Sequence, residues 1–375
     1  MLSASVLSAW LQFTASGPQV RAVATGGCPA ATVDGRSVAM AERSAPSAPF
    51  PNAVCSAPVP AGARTVRVEE RTVAAPAQAA QPNTIVAFGD SGCRIEGAVD
   101  QACNDPAQWP FPQIARTIAA MRPDLIIDVG DYYYRESPCL PLSGCTGSPH
   151  GDNAASWDAD WFAPAAPLFA AAPLILARGN HENCDRGGQG WFRYLDAFAS
   201  TACVDVTPPY AVRLGGLDVV VHDSAGAADS RPDAAAVERY RATFASARQL
   251  ASGDSWLVTH RPPYANATER AAMGSNLAPF EAVLSGHIHT FAAIDVAGEP
   301  PLVLNGTGGD LLDLGEARFL GFALGDLRAT RAPYVDTRFG FVVYRRAERG
   351  WSVSLRNPDG SERAHCTLGS GNVQC

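Results

Sequence analysis

Five short apolar runs, each breaking into a loop that carries residues able to bind a metal, constrain this chain more than any other feature. IVAF (85–88) leads into GDSG, LIIDV (125–129) into GDYYY, LILA (174–177) through Arg178 into GNHE, WLVT (256–259) into His260, and AVLS (282–285) into GHIH. Unbroken apolar runs of this length suit strands buried on both faces. LDVVV (217–221) and LVL (302–304) add two more, and helical spacing appears between them at 111–121 and at 233–252, where Asp233 is placed to cap the start. Strand and helix alternation predicts an α/β sheet core. The segments 339–346 and 351–357, on either side of Gly350, read as a hairpin.

In open α/β sheets ligands bind outside the carboxyl ends of the strands. Those positions hold Asp90; Asp131 and Tyr134; Asn180, His181 and Glu182; His260; and His287 and His289, which include four of the seven histidines. Gly89, Gly130, Gly179 and Gly286 precede the first candidate in four of the loops, where glycine lets the chain turn and the backbone approach an ion. Each motif alone is a common string; the ordered set of five is specific. Carboxylate, amide oxygen, phenolate and imidazole suit iron, manganese or zinc, and there are too many donors for one ion. Two metal ions follow, about 4 Å apart, with Asp131 as the bridge.

The order GDSG, GDYYY, GNHE, His260, GHIH resembles the calcineurin-like metallophosphoesterases over residues 84–310, and the Asp90-Ser91-Gly92 string with Tyr134 three residues after Asp131 resembles the purple acid phosphatase branch. The resemblance implies a two-sheet sandwich flanked by helices, with the dimetal site at one edge. It implies one ion on Asp90, Asp131, Tyr134 and His289, and the other on Asp131, Asn180, His260 and His287. The first is Fe(III) in that branch and the second Fe(II), Zn or Mn. A metal-held hydroxide then attacks phosphorus, while His181 contacts the phosphate and stabilises the transition state or protonates the leaving group. Two departures stand out: Leu257 where the branch has valine, and Glu269 and Arg270 where it has a histidine pair. Arg186, Arg261 and Arg270 are the candidates for substrate contact in place of that pair. The alternatives are a non-iron pair acting on a diester or nucleotide, and a non-catalytic binding protein of the same fold. Monoester, diester and phospholipid substrates all remain open.

A net charge of −8 excludes a nucleic-acid scaffold, which leaves a small phosphate ester as the expected partner. The sequence holds no apolar run of about 18 residues, so no spanning helix is expected. Ten cysteines in neighbouring pairs, without zinc-binding spacing, indicate disulfides and a secreted or periplasmic location. Cys28 with Cys55, Cys93 with Cys103 and Cys184 with Cys203 are the expected partners. Residues 1–27 read as a leader with AVA (22–24) as its cleavage site. Residues 28–82 read as a Pro/Ala-rich segment with one half-exposed strand at 64–73, 83–357 as the catalytic domain, and 358–375 as a Cys-containing tail. His222 reads as a core histidine, His150 as exposed, and Tyr133 and Arg135 as shaping the pocket rim.

Overall fold

The computed structural model describes residues 5–313, 327–331, 333–369 and 371–375. Among these residues two large sheets lie face to face. The larger has eleven strands in the order Asn372–Gln374, Glu362–Gly369, Trp351–Arg356, Phe341–Arg346, Thr84–Phe88, Leu125–Asp128, Leu174–Leu176, Ser5–Thr14, Gly17–Thr25, Ala53–Pro58 and Ala41–Ser44. The smaller has seven, with Leu217–His222, Asp254–Thr259, Ala282–Ser285 and Leu302–Asn305 running parallel at its centre. Thr84–Phe88, Leu125–Asp128 and Leu174–Leu176 are likewise mutually parallel.

Side chains alternate across a strand, and here both faces are dry. Ile85 and Ala87 enter the core between the sheets, whereas Val86 and Phe88 enter the core under the helices of the large sheet. Trp256 and Val258 face the same inter-sheet core, while Leu257 packs with Tyr240 and Phe244 of the helix Ala234–Leu250. The apolar runs are therefore strands that feed two cores at once. Asp233 caps that helix through the Ala236 N–H at 2.8 Å. On the other outer face the helix Phe111–Met121 buries Phe111, Ile114, Ala115 and Ile118, a one-stripe pattern of i, i+3, i+4 and i+7.

The stretch that reads as a leader forms strands of the large sheet. Ser5–Thr14 is an interior strand, antiparallel to Gly17–Thr25 and parallel to Leu174–Leu176, with Trp10 buried. The polar residues that dilute this segment as a leader have partners inside the fold: Gln12 accepts the Trp10 indole N–H at 2.8 Å and donates to the Leu195 carbonyl at 2.7 Å. Buried Arg21 donates to the carbonyls of Tyr194 (2.7 Å) and Asp196 (2.8 Å), and Arg43 to those of Phe198 (2.7 Å) and Phe192 (2.9 Å). Ala41–Ser44 and Ala53–Pro58, from the segment 28–82, belong to the same sheet as Thr84–Phe88. Residues 64–73 are not one strand but two, Val66–Val68 and Arg71–Val73, reversed at Glu69 with φ 50°. The tail is also structural: Glu362–Gly369 and Asn372–Gln374 extend the large sheet.

Disulfides join Cys28 to Cys55, Cys93 to Cys103, Cys139 to Cys145, Cys184 to Cys203 and Cys366 to Cys375. Five such bonds fit an oxidising, extracellular compartment. Among the described residues no helix is long and apolar enough to cross a membrane.

Candidate metal centre

The strands bring donor atoms from both sheets to one buried point. Tyr134 Oη lies 2.9 Å from Asp131 Oδ2, 3.2 Å from Asp90 Oδ1 and 3.1 Å from His289 Nε2. His260 Nε2 lies 3.0 Å from the same Asp131 oxygen and 3.1 Å from Asn180 Oδ1. His287 offers a ring nitrogen within 4.8 Å of Asp131 and His260 donors, and its Nε2 meets Asp229 Oδ1 at 3.1 Å. Two groups of donors thus share Asp131: Asp90, Asp131 and His289, and Asp131, His260 and His287.

The backbone is bent to make this cluster. Asp90, Asp131 and His287 have φ of 55°, 62° and 69°, a region costing about 1–3 kcal/mol for a residue other than glycine. Three strained residues at the first donor position of three loops mark a functional site. At Gly179 and Gly286 a Cβ would overlap the carboxylates of Asp131 and Asp90, respectively. These glycines make room for the carboxylates themselves, where the sequence suggested room for an ion.

The two outer histidines are aimed by their Nδ1 atoms. His260 Nδ1 bonds the Val129 carbonyl at 2.9 Å and His289 Nδ1 the Leu311 carbonyl at 2.6 Å, which turns each Nε2 toward the cluster. Burial disfavours the charged form of His289, but Asp310 and Asp90 outweigh it and lift the ring to about 10. Burial, then Asp131, Asp90 and Asp310, push the Tyr134 hydroxyl well above its ordinary range. Asp128 is raised by burial and by the carboxylates of Glu182, Asp90 and Asp131, and its Oδ2 has no hydrogen-bond partner. A buried set of oxygen and imidazole donors with this excess of carboxylates fits cations.

The sequence profile of the calcineurin-like phosphoesterase family matches residues 84–291. The chain belongs to that family. Calcineurin-like phosphoesterases hydrolyse phosphoric ester bonds, and the present fold is similar to that of several solved structures. Purple acid phosphatase PPD1 from seeds of yellow lupin (Lupinus luteus) matches at 12% identity and TM-score 0.57, over 96% of this chain and 74% of that one. PhoD matches at 11% and 0.54, over 100% and 91%. GAP50, the anchor in the inner membrane complex of Plasmodium, matches at 13% and 0.50, over 77% and 89%. At these identities the likeness is one of fold. No curated protein sequence matches the chain significantly.

Around the donors of this calcineurin-like phosphoesterase stands a scaffold that the motifs only partly announce. Glu182, quoted in GNHE, points away from the cluster and accepts the N–H groups of Asp131 (3.1 Å), Tyr132 (2.9 Å), Tyr133 (3.1 Å) and Gly179 (3.0 Å). Asp160, in a π-helical turn with no motif, accepts from Cys93 N (3.1 Å), Tyr134 N (2.9 Å) and Arg135 Nε (2.6 Å). Asp310 lies 3.4 Å from His289 Nδ1 and pairs with Arg94, whose guanidinium covers the Tyr134 ring at 4.9 Å.

His181 packs on the Tyr134 ring with centroids 3.8 Å apart, and its Nδ1 meets Glu136 Oε1 at 2.7 Å. Arg186 lies 2.8 Å from that ring nitrogen and is held by Glu136 (2.7 Å) and Glu96 (2.9 Å). Arg261 approaches His287 Nε2 at 3.3 Å and pairs with Asp229. Arg270 instead contacts Met273 Sδ at 4.0 Å, and its charge acts on Tyr264 and Glu299. Glu269 is buried against His222 at 3.3 Å, and His222 stacks on Phe244 as a core residue. Tyr133 and Arg135 are buried rather than on the rim: Tyr133 stacks on Trp157 and Arg135 pairs with Asp160. His150 is exposed.

Proposed function

We propose that this chain hydrolyses phosphate esters at a dinuclear centre in which Asp90, Asp131, Tyr134 and His289 hold one ion, and Asp131, Asn180, His260 and His287 the other. The observation that carries the reading is the single oxygen of Asp131, 2.9 Å from Tyr134 Oη on one side and 3.0 Å from His260 Nε2 on the other. A carboxylate oxygen so placed belongs to both donor groups. When bound, the ions supply an activated water for attack on phosphorus and positive charge against the phosphoryl oxygens.

The protein's own groups do the rest. Glu136 at Nδ1 fixes the His181 ring, whose Nε2 lies 3.9 Å from Asp131 Oδ2. That places Nε2 beside the shared carboxylate, where the ring, once protonated, would contact the phosphoryl group and protonate the leaving oxygen. Arg186 and Arg261, on opposite sides of the cluster, are the substrate contacts this geometry favours. The Tyr134 hydroxyl, kept protonated by burial and by three carboxylates, would hold an ion as the phenolate, its proton passing to water as the ion binds. A phenolate donor would favour Fe(III) in its site, with Fe(II), Zn or Mn in the other. The filled set of donors favours the enzyme over a non-catalytic binding protein. The five disulfides favour a secreted or periplasmic location.

Elemental analysis with a visible spectrum, on protein assayed with p-nitrophenyl phosphate and its bis ester, tests this. About two metals per chain, one of them iron, with a visible band lost in Tyr134→Phe, is the expected result. Two metals without iron would remove the Tyr–Fe(III) part. No hydrolysis after metal reconstitution would overturn the catalytic reading.

A further inference from the structure

The loop after the strand Leu217–His222 delivers a carboxylate to the edge of the metal centre. One oxygen of Asp229, Oδ1, lies 3.1 Å from His287 Nε2 and 2.9 Å from Asn266 Nδ2, and also pairs with Arg261 Nη1. The loop is pinned to the start of the helix Ala267–Ala272. The Ala267 N–H donates to the Asp229 carbonyl at 3.1 Å, the Thr268 N–H to the Ala228 carbonyl at 3.2 Å, and Asn266 Nδ2 to the Ala227 carbonyl at 3.2 Å. Asn266 itself caps that helix through the Glu269 N–H at 2.9 Å. Backbone bonds therefore fix where the Asp229 carboxylate stands, and the Arg261 N–H on Ser224 Oγ at 2.8 Å ties the arginine to the same loop.

The guanidinium of Arg261 and the amide nitrogen of Asn266 can only donate, so the shared oxygen accepts from both. A His287 Nε2–H completes the set, because a carboxylate has no proton to give. A neutral imidazole with its proton on Nε2 keeps its lone pair on Nδ1. His260 and His289 are held the other way round, with Nδ1 on the carbonyls of Val129 and Leu311 and Nε2 toward the cluster. Asp229 gives His287 the outer partner that those carbonyls give the other two rings, and its negative charge makes the ring a stronger donor to a cation. Arg261 Nη1 stands 3.3 Å from the same ring nitrogen, so one carboxylate orders a metal donor and a guanidinium together.

We propose that Asp229 is a positioning residue for the second donor group, setting the His287 ring for its ion and holding Arg261 beside it for the phosphoryl group. The role rests on the dinuclear reading above. At 38% exposure the Asp229 side chain can be replaced without opening the core. The first test needs no metal: long-range proton–nitrogen correlation spectra of the histidine rings at alkaline pH, with His287 assigned through His287→Gln. The metal-free unaltered protein is expected to carry the His287 proton on Nε2, and Asp229→Ala to show both tautomers. The second test is chelator competition on the loaded protein. Asp229→Asn is expected to release one of its two ions at about 10- to 100-fold lower chelator concentration, with the other held as before. With ions in excess, KM of that variant for the nitrophenyl ester is expected to rise several-fold at unchanged kcat, because Arg261 has lost its hold. A His287 proton on Nδ1 in the unaltered protein, or a ring and an ion release unmoved by both variants, overturns the role. Failure of the dinuclear reading looks different: the unaltered protein holds no ion, while the Asp229-dependent tautomer remains.

Discussion

Glu182 Oε2 accepts the backbone N–H of Asp131 at 3.1 Å, although the two residues are 51 positions apart in the chain. Through its other three N–H bonds the same carboxylate sets the path of the loop that carries Asp131 and Tyr134. Glu182→Gln turns an amide group toward four donors with one oxygen to accept them. Metal affinity is expected to fall 10- to 100-fold, as when an outer-shell partner is lost. A competition titration with a chelator measures it, and unchanged affinity would show that the loop holds its shape alone.

Asp160 joins the first two loops and neutralises buried Arg135. Asp160→Asn strands that guanidinium, which costs about 3–5 kcal/mol. Chemical denaturation is expected to show that loss, and the double variant Asp160→Asn, Arg135→Met to recover part of it.

Arg21 and Arg43 cap carbonyls in the last turn of the helix Gly188–Tyr194 and just beyond it. Arg21→Met leaves the Tyr194 carbonyl unpaired in the interior, at about 1–3 kcal/mol, and the Asp196 carbonyl with only the Arg43 Nη2 donor at 3.3 Å. Thermal melting is expected to shift down by several degrees. A chain starting at residue 28 loses two interior strands and is expected not to fold cooperatively, so deletion of residues 1–82 does not isolate the enzyme.

Asp196 beside those arginines provides the pH dependence. Burial pushes its carboxyl up to about 6, against the Phe198 N–H, Arg43 and Arg21. Its folded value lies above the unfolded one near 3.9, so the unfolded chain ionises first as pH rises. Stability therefore falls between about pH 4 and 6, by about 3 kcal/mol from this group, and is flat above. The stability difference between the unaltered protein and Asp196→Asn, followed by denaturant titration from pH 4 to 7, is expected to trace that fall; a constant difference would contradict it.

The donors were legible because they combine two local signals, a buried strand and a polar residue directly after it. The strand runs, the helices and the capping by Asp233 were legible for the same reason: each is written in consecutive residues. What stayed hidden depends on distant partners. Gln12 and Arg21 read as polar interruptions until the carbonyls at 194–196 are seen beside them. Asp160 sits in a helical stretch with no periodic or motif signal, and Asp310 lies 21 residues beyond His289, with nothing local to mark it. Arg270 was read from its proximity in sequence to His260, whereas the contact it makes on the helix Ala267–Ala272, with Met273 Sδ at 4.0 Å, has no mark in that spacing.

The place of Ser5–Thr14 in the large sheet also orders events during synthesis. Gln12 pairs with Leu174, so this strand waits for 162 further residues before its parallel neighbour exists. Its hairpin with Gly17–Thr25 forms locally, but the edge that will meet Leu174–Leu176 stays open until then. At about 5–20 residues per second that is on the order of ten seconds or more, during which an apolar strand edge needs protection from other chains.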